Sequence, residues 1–100
     1  MTPVIRSKRF RKDVNKAERS NVDLSSTKDV VSKLLNGVKL DEKYKDHPLR
    51  GKYKGYRECH VQPDLLLIYK RNQSELHLHR LGSHSELFED LIYEVCGFML

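Results

Sequence analysis

Residues 56–82, YRECHVQPDLLLIYKRNQSELHLHRLG, decide the fold of this 100-residue chain. Polar and apolar side chains alternate over 56–61, the run 65–69 is apolar on both faces, and alternation returns over 76–81. A period of two is typical of strands, and an uninterrupted short apolar run indicates a strand covered on both faces. Asn, Gln and Ser at 72–74 form a turn signal between the last two runs. The pattern therefore predicts an antiparallel meander of three strands.

Upstream of the meander, the apolar side chains change to helical spacing. Phe10, Val14 and Ala17 stand at i, i+4 and i+7, which predicts an amphipathic helix from about 8 to 19. The dipeptide Val4-Ile5 precedes this helix and predicts a short first strand.

A second helix is predicted by its end signals as much as by its apolar stripe. Ser26-Thr27-Lys28-Asp29 fits a capping box, and Asn36-Gly37 is a typical C-terminal stop. Five aliphatic residues between these signals and just beyond them are expected to be core: Val30, Val31, Leu34, Leu35 and Val38.

Together these elements predict an α+β fold in one domain spanning 1–100. We expect an antiparallel sheet built from the short N-terminal strand and the C-terminal meander. Two N-terminal helices would cover one face, and a short C-terminal helix would follow the last strand. Only 38% of residues are hydrophobic and 33% are charged, so the core is thin and a site on the open, polar sheet face is favoured over a deep pocket.

Charge is distributed unevenly along the chain. Residues 1–73 carry 18 basic and 9 acidic side chains, whereas residues 74–100 carry one arginine against five acidic side chains. Basic residues alternate with aromatic ones over 43–45 and 52–57. This pattern suits contact with phosphates and stacking of nearby bases on the aromatic rings. The longest apolar run, 65–69, is far shorter than the roughly 20 residues of a membrane helix. We therefore expect a cytoplasmic protein with a nucleic-acid partner and no membrane contact.

The polar residues that can carry chemistry stand at element ends. All five histidines fall between His47 and His84, and none precedes them. His47 lies in a loop, His60 on the polar side of its strand, Asp64 in the following turn, and His84 at the start of the last helix. Sites are commonly built at such positions, so these four side chains are expected to converge.

Three segments resemble a known family in the same order along the chain. They are DHPLRG at 46–51, GYRECHVQPDLLLIY at 55–69 and RLGSHSELF at 80–88. The segments are similar to the YafQ-type branch of the RelE/ParE toxin superfamily, and the resemblance extends over about residues 4–88. It implies a RelE-like fold and the toxin of a type II toxin–antitoxin pair. It further implies an endoribonuclease that cuts messenger RNA on the ribosome, held silent by an acidic antitoxin.

The resemblance also implies which residues act. Its catalytic set corresponds to His47, His60, Asp64, His84 and Phe88, with no metal and no cofactor. RNA cleavage without metal needs groups that titrate near neutrality and local positive charge for the phosphate. The residues expected to contact messenger or ribosomal RNA are Lys52, Tyr53, Lys54, Tyr56, Arg57 and Arg80.

Two positions depart from the family pattern. Tyr53 stands where relatives often have tryptophan, and residues 89–100 form an extension beyond the usual end of the domain. Leu87, Leu91 and Val95 in this region predict that the last helix runs from about Ser85 to Cys96.

Simple alternation raises one difficulty, because it places Arg57 and Arg80 on the core side of their strands. A bulge or twist would be needed to bring either guanidinium to the polar face.

Other functions stay open at this point. His77 and His79 share one strand face and could form a metal site with His60. A non-catalytic RNA-binding domain, or a ParE-like toxin that blocks a protein target, would also fit the charge pattern.

Overall fold

The computed structural model describes residues 2–88, which form an α+β fold with one five-stranded sheet. The strands lie in the order β1-β5-β4-β3-β2 across the sheet. The central strands β3, β4 and β5 form the antiparallel meander that the sequence predicts. Their bounds are β1 Val4–Arg6, β2 His47–Pro48, β3 Arg57–Gln62, β4 Leu65–Arg71 and β5 Leu76–Gly82.

The sheet is mixed rather than wholly antiparallel, which differs from the expectation for the first strand. β1 runs parallel to β5, with Val4 opposite Leu76 and Arg6 opposite Leu78. Parallel neighbours require a long connection, and the whole chain between these two strands supplies it. Strand direction at this edge is thus set by tertiary packing, which local periodicity does not record.

The first helix, α1 (Lys8–Arg19), has the predicted bounds. Ser7 is its N-cap: the Ser7 hydroxyl oxygen accepts a hydrogen bond from the Phe10 N–H and donates one to the His79 carbonyl, at 2.9 and 2.7 Å. The cap therefore begins the helix and also ties it to β5.

The second helix, α2 (Ser25–Leu35), begins differently from the prediction. The Ser26 capping box is not used; instead the Asp23 carboxylate accepts a hydrogen bond from the Ser25 N–H at 2.9 Å. The stop signal is confirmed, because Gly37 adopts a left-handed φ of +69°. Val38 lies beyond this turn and is 49% exposed, so the prediction that it belongs to the core is wrong.

Apolar side chains cover both faces of the sheet. The larger cluster lies under α1 and α2 and includes Phe10, Val30, Leu34, Cys59 and Leu67. A smaller cluster on the opposite face consists of Leu49, Tyr53, Leu66, Ile68 and Leu87, with Tyr56 packed against it. The predicted open face is therefore polar only in part, because α3 (His84–Phe88) and the segment around Tyr53 shield its middle.

No helix within residues 2–88 is both long enough and apolar enough to span a membrane. Burial raises the pKa of the Cys59 thiol to about 12, so this cysteine is an inert core residue. Cys96, and the part of the predicted last helix that follows Phe88, lie outside the described residues.

Candidate active site

A buried carboxylate joins two of the predicted histidines. Oε1 of Glu58 lies 3.1 Å from Nε2 of His60 and 3.3 Å from Nε2 of His47. Glu58 is only 1% exposed, whereas the side chains of His60 and His47 are 18% and 38% exposed. The carboxylate thus forms the floor of the site and the imidazoles face outward.

His84 joins the same group from the other side. The rings of His60 and His84 lie 5.5 Å apart in an edge-to-face arrangement. The backbone N–H of His84 donates to Oδ1 of Asp64 at 3.4 Å, and Nδ1 of His84 lies 3.8 Å from the same oxygen. The structure therefore brings together His47, His60, Asp64 and His84, as the sequence predicts, around Glu58.

Local structure explains how the five side chains meet. Glu58 and His60 are two residues apart on β3 and so share a face, and β2 pairs with β3 so that His47 lies directly opposite Glu58. The register between β3 and β4 shifts after His60, where the chain turns toward Asp64. The β5–α3 junction then delivers His84 to this corner.

A cavity of 420 Å³ opens beside His60. Its lining includes Ser26, Lys43, Lys45 and Gln62. Ligand pockets occupy about 300–1,000 Å³, so this space is large enough for one nucleotide beside His60.

Arg80 reaches the cluster face because β5 contains a bulge. Ile68 pairs with Arg80 but Tyr69 pairs with Leu78, which leaves His79 as an extra residue. After this extra residue, the alternation of β5 reverses, so Arg80 shares a face with Ile68 and Glu58. The bulge that the sequence required for Arg80 is therefore present.

Arg57 stays on the helix side of the sheet. Its Nε and Nη2 atoms donate to the Asp46 carboxylate at 3.2 and 3.3 Å, and the Tyr69 hydroxyl donates to the same group at 2.7 Å. Burial lowers the pKa of Arg57, but the bond and charge of Asp46 outweigh this and raise it overall. The structure does not bring Arg57 to the histidine cluster.

The aromatic and lysine residues of segment 52–56 differ in exposure. Lys52 and Lys54 are exposed, whereas Tyr53 is buried in the smaller apolar cluster. The Tyr56 ring stacks on His79 at 4.6 Å and 30°. Of these four side chains, the lysines are thus fully available at the surface and Tyr56 is available in part.

Phe88 is the last described residue of α3, and the structure describes its backbone but not its side chain. The extension 89–100 lies outside the described residues entirely.

The alternative metal set is not assembled. Nε2 of His77 is bonded to the Glu75 carboxylate at 2.9 Å, and His79 packs against Tyr56. Within the described part of the chain, the group with metal-ligand spacing is a different one: one ligand atom each from Glu58, His60 and His84 lies within 4.8 Å of the others.

Two residues of the site region are absent from the sequence prediction. Glu58 shares the strand face of His60, and this period-two relation was its signal. Asp13 of α1 binds Arg80 from a distant segment, through Oδ2 to Nε at 2.8 Å and Oδ1 to Nη2 at 3.2 Å. No spacing in the sequence indicates the contact between Asp13 and Arg80.

Comparison with known proteins agrees with this geometry. Residues 3–89 match the model of a family described as "Bacterial toxin of type II toxin-antitoxin system, YafQ". The chain belongs to the YafQ toxin family. The predicted family and α+β fold class are thereby confirmed.

Individual YafQ relatives support the assignment along most of the chain. The mRNA interferase toxin YafQ of Escherichia coli K12 is 42% identical over 83 residues, which cover 82% of this chain and 90% of the relative. The E. coli DinJ–YafQ complex contains a chain with a TM-score of 0.82 and 39% identity, covering 88% of this chain and 99% of that one. A copper-bound mutant toxin from Helicobacter pylori has a TM-score of 0.83 and 43% identity, covering 88% and 100%.

Proposed function

We propose that this YafQ-family chain is an endoribonuclease that cleaves messenger RNA on the ribosome and so inhibits translation. The observation that carries the proposal is the grouping of His47, His60 and His84 around Glu58 on a solvent-facing side of the sheet. The E. coli relative named an mRNA interferase, at 42% identity, supports it.

The reaction assigned to this site is attack of a ribose 2′-OH on the adjacent phosphate. A base removes the 2′ proton, the pentacovalent phosphorane carries negative charge, and an acid protonates the departing 5′-oxygen. The products are a 2′,3′-cyclic phosphate and a free 5′-hydroxyl. His60 and His84 lie close enough, at 5.5 Å between rings, to act on opposite sides of one phosphate.

The remaining polar groups receive supporting roles. Asp64 binds the backbone and approaches Nδ1 of His84, so it orients that ring. Both ring nitrogens of His47 face acceptor oxygens, Pro48 O at 3.1 Å and Glu58 Oε1 at 3.3 Å, an arrangement that suits a proton donor. Arg80 supplies positive charge for the phosphate, and Phe88 is assigned to the substrate by resemblance alone.

RNA is proposed to dock on the exposed lysines of segment 52–56 and on the partly exposed ring of Tyr56. Tyr53 supports this surface from within the apolar cluster rather than by stacking on a base. Arg57 pairs with Asp46 on the opposite face of the sheet, where the carboxylate neutralises its charge, so it is assigned no contact with RNA. A ribosomal substrate implies a cytoplasmic location, as the sequence predicts.

The protein partner is proposed to be an acidic antitoxin. The E. coli relative forms a DinJ–YafQ complex, and residues 1–73 of this chain carry 18 basic against 9 acidic side chains, an excess of nine positive charges. Opposite charge favours a tight, salt-sensitive complex.

The proposal is tested by incubating the purified chain with programmed ribosomes, with and without EDTA. His60→Ala and His84→Ala should each lower cleavage about 10²–10⁴-fold, the contribution of one general acid or base. His77→Ala is the matched control, since His77 lies outside the cluster and pairs with Glu75. Cleavage that persists in both cluster variants would favour the protein-targeting or purely RNA-binding alternatives.

A second candidate function is cation binding by Glu58, His60 and His84. Two imidazoles and a carboxylate suit copper or zinc, and Oε2 of Glu58 has no hydrogen-bond partner among the described residues. The copper-bound H. pylori relative supports the idea. An ion held there would occupy the imidazole lone pairs, so it should inhibit the metal-independent reaction.

Calorimetric titration with Cu²⁺ or Zn²⁺ tests this candidate directly. Glu58→Ala should abolish binding and His77→Ala should leave it unchanged. Loss of cleavage in EDTA would instead make the ion part of the reaction.

A further inference from the structure

Asp13 of α1 forms three hydrogen bonds with β5. Oδ2 accepts from Nε of Arg80 at 2.8 Å and from the backbone N–H of Leu81 at 2.9 Å, and Oδ1 accepts from Nη2 of Arg80 at 3.2 Å. The side chains of Asp13 and Arg80 are only 15% and 11% exposed. One carboxylate thus links the helix to both the side chain and the backbone at the end of the bulge.

This contact fixes the plane of the guanidinium. The guanidinium group is planar and presents its donors in a rigid fork. Two parallel hydrogen bonds to one carboxylate therefore fix the orientation of that plane. Asp13 engages the edge formed by Nε and Nη2, and the donors on Nη1 belong to the opposite edge. Hydrogen bonding to Asp13 raises the pKa of Arg80 and a contact with Tyr53 adds to it, so the group stays charged.

The strand register places Arg80 on the sheet face that bears the histidine cluster. Arg80 pairs with Ile68, and Ile68 pairs with Glu58 on the far side of β4. Tyr53, which lies over the same face, contacts Arg80. The guanidinium is therefore held at the sheet edge by Asp13 and at the sheet face by Tyr53.

A purely stabilising role does not account for this arrangement well. Buried ion pairs are weak contributors to stability, because the cost of removing two charges from water offsets their attraction. A neighbouring carboxylate also weakens an arginine as a simple phosphate anchor. The fixed geometry is useful if Asp13 serves to hold the Arg80 guanidinium in one orientation.

We propose that Asp13 is a positioning residue for RNA cleavage, which holds the Arg80 guanidinium in the orientation that stabilises the phosphorane. The inference rests on the proposed function, since it assigns Arg80 to the reacting phosphate. It extends the functional residues to α1, a helix that carries none of the predicted catalytic side chains.

The test uses the full chain, programmed ribosomes and steady-state kinetics of Asp13→Asn. The asparagine oxygen can still accept from the Leu81 N–H, so the helix stays attached while the charged fork is lost. Misplacing a group by about 1 Å costs up to about 100-fold in rate, so kcat should fall about 10- to 100-fold while KM stays within about twofold. Asp13→Glu, which keeps the charge, should restore part of the rate.

Ser7→Ala is the matched structural control. Ser7 ties the same helix to the same strand through the His79 carbonyl, but it does not touch Arg80. The melting temperature of the Ser7→Ala variant should fall by about 4–8 °C, with little change in kcat. An equal loss of kcat in Ser7→Ala and Asp13→Asn would show that helix docking alone matters and would overturn the proposal.

A double-mutant cycle with Arg80→Ala completes the test. If Asp13 acts through Arg80, Asp13→Asn should cause no further loss in the Arg80→Ala chain. A full additional loss there, or wild-type kcat in either single variant, would overturn the inference. His84→Ala separates the proposed function from the role of Asp13. The activity of this variant tests whether the histidine cluster cleaves RNA, whereas the double-mutant cycle tests only whether Asp13 acts through Arg80.

Discussion

Glu58 and His60 stand two residues apart on β3, and Oε1 of the first lies 3.1 Å from Nε2 of the second. The same oxygen approaches His47 across the β2–β3 pair. One buried carboxylate oxygen therefore sets the orientation of two imidazoles from different elements. Its partner oxygen, Oε2, is buried without a hydrogen bond among residues 2–88.

The first prediction concerns this carboxylate. Glu58→Ala removes the anchor of both rings, so we expect cleavage on ribosomes to fall about 10- to 100-fold, in the range of losses from misplaced groups. Glu58→Gln keeps one acceptor oxygen and should lose less. Single-turnover cleavage rates for the two variants, with circular dichroism to confirm folding, provide the measurement.

Glu75→Ala is the matched control, because Glu75 also binds a histidine, His77, but lies outside the cluster. It should cleave at the wild-type rate. If Glu58→Ala did the same, Glu58 would be a passive core residue and the site would consist of the histidines and Asp64 alone.

The second prediction concerns the exposed lysines of segment 52–56. Replacing Lys52 and Lys54 together by alanine should weaken ribosome binding and reduce the slope of log K against log salt by about one to two units, because each lysine releases about one counterion. Fluorescence anisotropy over a salt series measures both quantities. The double variant of Lys28 and Lys33 removes equal charge from α2 and should leave the slope nearly unchanged.

Most of the fold could be predicted because it is recorded in local patterns. The bounds of α1 follow from its apolar spacing, and β3 to β5 follow from alternation and a turn signal. The start of α2 could not be predicted correctly, since Asp23 and Ser26 both offer a side-chain oxygen at a plausible cap position. The helix begins at Ser25, so Ser26 lies within its first turn and Asp23 supplies the acceptor.

The site was predictable to the extent that its members lie at element ends. His47, His60, Asp64 and His84 do so, and they meet. Glu58 looked like an ordinary exposed strand residue, because the sequence does not show that β2 and α3 cover it. Likewise, the contact of Asp13 with Arg80 depends on a bulge and a helix docking angle, which are tertiary properties.

The third prediction concerns the extension 89–100, of which the sequence assigns the part up to Cys96 to the same helix as α3. Glu86 of this helix accepts bonds from Lys16 and from the Ser83 N–H, and these bonds hold the segment that bears His84. If the helix continues, deleting residues 91–100 should lower both the melting temperature and the cleavage rate. Unchanged values, with free reaction of Cys96 in the intact chain, would contradict the predicted helix.

The fourth prediction concerns the acid sensitivity that His79 gives the fold. Burial against Tyr56 and Tyr53 lowers the pKa of His79, and the positive charges of Arg80 and Arg9 lower it further. The folded state thus binds this proton less readily than the unfolded chain, whose histidine pKa is about 6.5. Stability linked to the neutral ring is complete above that pH and is lost as the pH falls through the lower folded value.

His79→Phe keeps an aromatic ring on Tyr56 but removes the titration, so the variant should lose less stability on acidification than the wild type. Urea midpoints at pH 7.5 and 5.5 measure this, because all other titrating groups are common to both chains and cancel in the difference. We expect the urea midpoint of the variant, relative to that of the wild type, to be higher at pH 5.5 than at pH 7.5. A gap that is the same at both pH values would mean that the folded protein protonates His79 as easily as the unfolded chain, and that the ring stack does not exclude the charged form.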